Sequence, residues 1–155
     1  MSRKLTIKLA GWLIGSIGLC SAAAACDMVV GAGSAYPNLS AVPWPATGTV
    51  CINPGTYDRL LVVANVRRSA AAPLVIRGRD EANPPKLLQG ALVRNSSYVT
   101  IAHLDAANPG GYAAVLLDQR GDHVTVEKVW AHDGPFGIVV GSAGQPHAVD
   151  APLDP

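Results

Sequence analysis

Aromatic residues are scarce in this chain, with one Phe, three Trp and four Tyr among 155 residues. Charged residues are also few, at 15%, while 49% of the chain is apolar and carried mainly by Val, Leu, Ile and Ala. That mixture suits thin, β-rich layers better than one large aromatic core. A basic surplus is missing too. Of the 12 Lys and Arg residues, Arg3, Lys4 and Lys8 lie at the extreme N-terminus. Setting those three aside leaves nine basic against 11 acidic residues, a charge of about −2. No basic stripe remains, which argues against nucleic acid or an anionic membrane surface as a partner. A long apolar run is likewise absent. Leu9 to Leu19 is the longest, and its 11 residues are too few to cross a bilayer.

That short run has a different meaning in its context. Arg3, Lys4 and Lys8 precede it and the small residues Ala22 to Ala25 follow it. Basic region, apolar core and small-residue cleavage site in that order predict a secretory signal peptide over residues 1–25. The chain is then expected to work in the periplasm or outside the cell. Cleavage after Ala25 removes Cys20 and leaves Cys26 and Cys51, an even pair in an oxidising compartment. A bridge between them would tie the segment before the first repeat to that repeat. The alternative is a lipid anchor on Cys26, although Ala23 stands where a lipoprotein cleavage box usually has a larger aliphatic residue.

Helical periodicity is missing throughout, and what is present instead is a repeat. Tyr98-Val99-Thr100-Ile101 returns 25 residues later as His123-Val124-Thr125-Val126. Leu104-Asp105-Ala106 returns as Val129-Trp130-Ala131, and Asn108-Pro109-Gly110 as Asp133-Gly134-Pro135. Leu74-Val75-Ile76 falls under Val99-Thr100-Ile101 at the same spacing, and Val50-Cys51-Ile52 lies 24 residues before it. A fixed period of this size marks stacked repeats. The fullest copy contains three short runs, Val99 to Ile101, Leu104 to Ala106 and Ala114 to Leu117, with a turn at Asn108 to Gly111. In the first two, apolar residues flank a polar one, the alternation of a half-buried strand.

Three strands per 25 residues without helices predict an all-β parallel β-helix of about four coils over residues 49–142. Residues 26–48, rich in Gly, Ala, Pro and Ser, form an irregular lead-in, and residues 143–155 an irregular tail. The expected inward columns are Val50, Leu74, Val99, Val124 and Ile52, Ile76, Ile101, Val126. Thr100 and Asp105 are expected to face solvent. Pro146 and Pro152 interrupt the pattern beyond the fourth coil, so a truncated reading frame is one expectation.

The phrases Ile52-Asn53-Pro54-Gly55-Thr56-Tyr57, Pro73-Leu74-Val75-Ile76-Arg77-Gly78 and Ser97-Tyr98-Val99-Thr100-Ile101 resemble coil-building motifs of right-handed parallel β-helix proteins. The resemblance is to the pectin-lyase-like superfamily, in particular the N-terminal coils of its chondroitinase B and alginate lyase branch. It implies a right-handed helix and an exported polysaccharide lyase that acts on, or binds, acidic polysaccharide. Such a lyase works by β-elimination, with a base beside the uronate carboxylate and a calcium ion or arginine stabilising the enolate. The family's base and arginine sit on coils further along, so no catalytic residue is assigned here. The alternative reading is a non-catalytic surface, structural or sugar-binding β-helix.

Two outward columns carry the candidate site. Asp80, Asp105 and Trp130 are expected to stack, as are Gly78, His103 and Lys128. Trp130 offers a flat platform for a sugar ring, and Lys128 with His103 offers charge to a uronate, so His103, Asp105, Lys128 and Trp130 are the candidate substrate-binding residues. The plainer alternative is a Trp packed under a loop and a solvated charged face. Asn83, Asn108 and Asp133 form a further expected column of turn residues. Ca2+ bridging Asp105 and Asp133 is the candidate cofactor. His123 and His132 occur singly, without metal-ligand spacing.

Overall fold

A computed structural model describes residues 25–40, 42–118 and 121–141. The expected signal peptide, all but its last residue, and the expected tail from residue 143 lie outside the described residues.

Short runs rich in Val, Ile, Leu and Ala form strands because alternate side chains can be buried while the intervening ones face water. Each coil contributes three. The first holds β2 (Gly48–Ile52), β3 (Thr56–Tyr57) and β4 (Leu61–Ala64), and the second β5 (Leu74–Gly78), β6 (Lys86–Leu87) and β7 (Ala91–Arg94). The third holds β8 (Ser97–Ala102), β9 (Asp105–Ala107) and β10 (Ala113–Leu117), and the fourth β11 (Asp122–Glu127), β12 (Trp130–His132) and β13 (Phe136–Val140). One more strand, β1 (Met28–Val30), precedes them. The strands stack into three parallel sheets, ordered β1-β2-β5-β8-β11, β3-β6-β9-β12 and β4-β7-β10-β13. The described residues therefore form an all-β parallel solenoid of about four turns, with no helix.

Inside the solenoid the aliphatics stand in columns. Ile76 and Ile101 are register partners, as are Leu74 and Val99, and all four are fully buried. Leu61, Ala91 and Val115 line the third sheet, and Leu87 and Ala106 the second. Burying such side chains gives roughly 1.5–3 kcal/mol each, the main force joining coil to coil. Corners need backbone that few residues adopt cheaply. Asn65 and Asn95 turn one corner in the left-handed region, at φ 58 and 47. Their side chains form a ladder in which Asn95 Nδ2 donates to Asn65 Oδ1 at 2.6 Å. Gly90 turns another corner at φ 73, where a Cβ would stand 2.2 Å from the Ala114 carbonyl oxygen.

Three expectations are corrected. In the first coil, Val50 pairs with Ile76 and Gly48 with Leu74, a slip of two residues from the expected columns. A shift of two keeps the same face inward, so alternation alone does not detect it. The lead-in is not wholly irregular, because β1 adds a parallel rung with Met28 opposite Val50 and Val30 opposite Ile52. Finally, β6 in the second sheet does not follow the 25-residue period. Residues 79–85 make a long turn in the second coil, so Lys86, not Asp80, is the register partner of Asp105. Asn83 falls within that turn and leaves the column expected for Asn108 and Asp133.

The segment before β2 also closes the start of the solenoid. Cys26 and Cys51 are joined by a disulfide with Cα atoms 5.6 Å apart. Tyr36 bridges Val30, Leu39 is buried in the core, and Val42 and Trp44 pack against it. The Trp44 indole Nε1–H donates to the Val62 carbonyl at 3.1 Å.

Candidate functional site

The second sheet and the corner before it bring together Glu81, Lys86, His103, Asp105, Lys128, Trp130 and His132. Its outward column runs Thr56, Lys86, Asp105, Trp130. Trp130 thus stands directly beside Asp105, as the 25-residue spacing predicts. Two residues further along the same face, His132 is the partner of Ala107. The small Ala107 leaves space for the imidazole to lean back over the preceding coil. There His132 Nε2 meets Asp105 Oδ1 at 2.6 Å, and Nδ1 meets Asp133 Oδ2 at 2.9 Å. The Trp130 and His132 rings lie 4.2 Å apart, tilted by 30°.

This arrangement corrects the expectation that Asp105 faces solvent. It does lie on the outward face, yet it is only 7% exposed because its neighbours cover it. A buried carboxylate needs a partner, and His132 supplies it. The hydrogen bond to Asp105 is the largest influence on His132 and raises its pKa above the ordinary 6.5. Burial acts in the opposite sense, and the hydrogen bond that His132 donates to Asp133 and the two negative charges add to the rise. The two carboxylates flank His132 and favour its protonated form, at the position expected for a bridging calcium. Among the described residues, no group of three or more His, Cys, Asp or Glu side chains is arranged to hold a metal ion.

The corner between the first and second sheets forms the other half of the cluster. His103 and Lys128 turn it in consecutive coils, at φ 53 and 49. Glu81, carried on the long turn of the second coil, reaches both. Its Oε1 lies 3.4 Å from His103 Nε2, and its Oε2 lies 3.8 Å from Lys128 Nζ. His103 is buried under that turn, whereas Lys128 and Glu81 are exposed. Gly78, at the same corner of the second coil, leaves no room for a side chain, since a Cβ would come within 2.2 Å of the His103 carbonyl oxygen.

Of the four predicted residues, Trp130 and Lys128 are accessible while Asp105 and His103 are buried supports. Trp130 is 65% exposed on a rigid sheet face. Its expected alternative, packing beneath a loop, does not occur among the described residues. Sequence reasoning missed two members. His132 lacks metal-ligand spacing and so stands alone in the sequence, although its place two residues after Trp130 puts it on the same face. Glu81 carries no periodic signal, because it belongs to the turn that interrupts the period. His123, also alone in the sequence, stacks flat on Tyr98 one coil back, with centroids 4.3 Å apart and planes 9° from parallel.

A hollow of about 500 Å³ lies at the opposite end of the solenoid, lined by Asp27, Met28, Tyr36, Asn53 and Arg79 among others. It shares no residue with this cluster and gathers no set of reactive groups. No family model, no curated protein and no solved structure matches the chain. Fold and site together define the class, a parallel β-solenoid with a charged, Trp-bearing lateral face.

Proposed function

We propose that the protein is an exported β-solenoid that binds acidic polysaccharide through the face around Trp130. The observation that carries this reading is a largely exposed indole fixed on a sheet rather than a loop, buttressed by the His132 ring. Flat apolar surface held in place is what the hydrophobic face of a sugar ring stacks on, and its rigidity lowers the ordering cost of binding. Lys128 supplies the charge. Its pair with Glu81 is exposed and spans 3.8 Å; such surface pairs contribute little, so the ammonium group exchanges partners readily for a uronate carboxylate. The resemblance of the coil phrases to polysaccharide lyases points to the same ligand class. Export is supported by the order of charge, apolar run and small residues over 1–25, and by the cysteine pair.

Binding is favoured over elimination by the surroundings of His132. A general base needs a free lone pair within reach of the proton it takes, and both ring nitrogens of His132 face carboxylates. The test measures affinity and product together. The full chain is titrated with alginate, pectate, chondroitin and a neutral glucan, following Trp fluorescence and the ultraviolet absorbance of unsaturated sugars. Binding to the acidic polymers without unsaturated product is expected. Replacing Trp130 with Ala should weaken binding at least about tenfold, equivalent to about 1.4 kcal/mol. Equal affinity of wild type and Trp130→Ala, or preference for the neutral glucan, would overturn the reading. Unsaturated product would instead establish a lyase.

A further inference from the structure

The two ends of the described solenoid differ. At the start, β1, Tyr36, Leu39 and Trp44 cover the core. At the other end β11, β12 and β13 are the last strands of their sheets, and no described residue pairs with their outer edges. Their inward side chains have a partner on one side only. Phe136 is 46% exposed, Ile138 49% and Val140 69%, although Ala113 and Val115, the register partners of the first two, are buried and Leu117, the partner of Val140, is half-buried. Parallel edges with exposed aliphatics are surfaces that recruit another strand.

We infer that this end docks a second copy of itself across a two-fold axis through Thr125. The sequence of β11 and the residue after it, Asp122-His123-Val124-Thr125-Val126-Glu127-Lys128, is self-complementary when run antiparallel. Centred on Thr125, Asp122 stands opposite Lys128 of the second copy, His123 opposite Glu127, and Val124 opposite Val126. Asp122, His123 and Lys128 are each about 60% or more exposed in the single chain, and their present pairs, Asp122 with His123 and Lys128 with Glu81, are surface contacts of 3.8 Å that exchange at little cost. Cross-strand pairs of opposite charge and of β-branched residues are the stabilising unit of an antiparallel ladder. The same axis interchanges the other two sides of the coil, laying β12 of one copy against β13 of the other and covering Phe136, Ile138 and Val140. Residues 121–141, about 20 a side, match one half of a standard protein interface. Head-to-tail stacking has no such complement, because the starting end is already covered. A two-fold contact closes after two copies, so it gives a dimer and no fibre. The side chain of Trp130 lies on the lateral face, outside this contact, whereas Lys128 is shared between Asp122 of the second copy and an acidic ligand, so dimer and ligand compete for it.

Sedimentation equilibrium of the full chain, with a charge-swap pair, tests the inference. Wild type is expected to dimerise. Asp122→Lys alone sets like charges opposite each other, as does Lys128→Asp alone, and each should weaken dimerisation at least tenfold. An equimolar mixture restores both ion pairs and should recover the dimer. As a second measurement, Thr125→Cys places two thiols opposite each other across the axis, within disulfide reach, and should cross-link on mild oxidation. Arg94→Cys, remote from the axis, should not. Wild type that is monomeric at every concentration would overturn the inference and mean that residues 142–155 or another partner covers the end. Higher oligomers, swap variants that dimerise normally, a mixture that fails to recover, or a Thr125→Cys chain that does not cross-link would also overturn it.

Discussion

His132 joins the third and fourth coils through one ring. Its raised pKa means that the folded state favours the protonated imidazole. The stabilisation is therefore complete below the ordinary value of 6.5 and fades as pH rises through the higher value in the fold. Thermal unfolding of the full chain should show a stability decline on that alkaline side. Asp105→Asn removes the principal cause of the shift, so its variant should lose this pH dependence and unfold earlier at low pH. An unchanged pH profile in that variant would show that Asp105 does not hold His132. Among backbone positions, Gly90 is the most demanding. A Cβ there meets both a left-handed φ and a carbonyl oxygen at 2.2 Å, so Gly90→Ala should cost at least about 1 kcal/mol, measured by denaturant midpoint.

At the scale of the strand, the same residue type carries different weight in different coils. Ile101 in β8 is fully buried between Ile76 and Val126. Truncation to Ala should cost about 2–5 kcal/mol, the range for large cavities in a packed core. Val126 in β11 continues the column but is only half-buried, so Val126→Ala should cost the single chain about 1 kcal/mol or less. Comparing the two midpoints at low protein concentration checks this gradient. A Val126 cost that grows with protein concentration would report the end-to-end contact as well. The long turn of residues 79–85 shows how an insertion serves the neighbouring strand. It carries Glu81 over His103 and sets Lys86 in place of Asp80 beside Asp105.

For the whole molecule, a solenoid binds each coil only to its neighbours, so stability varies along its axis. Amide exchange should be slowest in β5 and β8, which are flanked by strands on both sides, and fastest in β11 to β13. The starting end is tied by the Cys26–Cys51 bridge, whose sequence separation is 25. Closing a loop of that size contributes about 3 kcal/mol in the chain-entropy account. Reduction should lower the denaturation midpoint accordingly and leave the Trp130 face intact, which sugar binding under reducing conditions would verify. A disulfide and a lipid on the Cys26 thiol exclude each other, and mass analysis of the protein recovered from expressing cells distinguishes them.

Periodicity by itself determined much of this protein. The 25-residue offsets and the alternation around Thr100 and Thr125 were enough for an all-β stack of about four coils. They also sufficed for most of the inward columns and for Trp130 beside Asp105. Both signals are local and repeat with the backbone, so a single chain displays them. What the tertiary structure decided is where the period fails: the two-residue slip at Val50, the rung added by β1, and the turn that replaces Asp80 with Lys86. It also decided that Asp105 and His103 are buried supports, because burial depends on which side chains from adjacent coils close over a position. Glu81 joined the site in the same way, through contacts between coils that no spacing along the chain encodes, whereas His132 shares the face of Trp130 by its two-residue offset and only its contact with Asp105 awaited the fold.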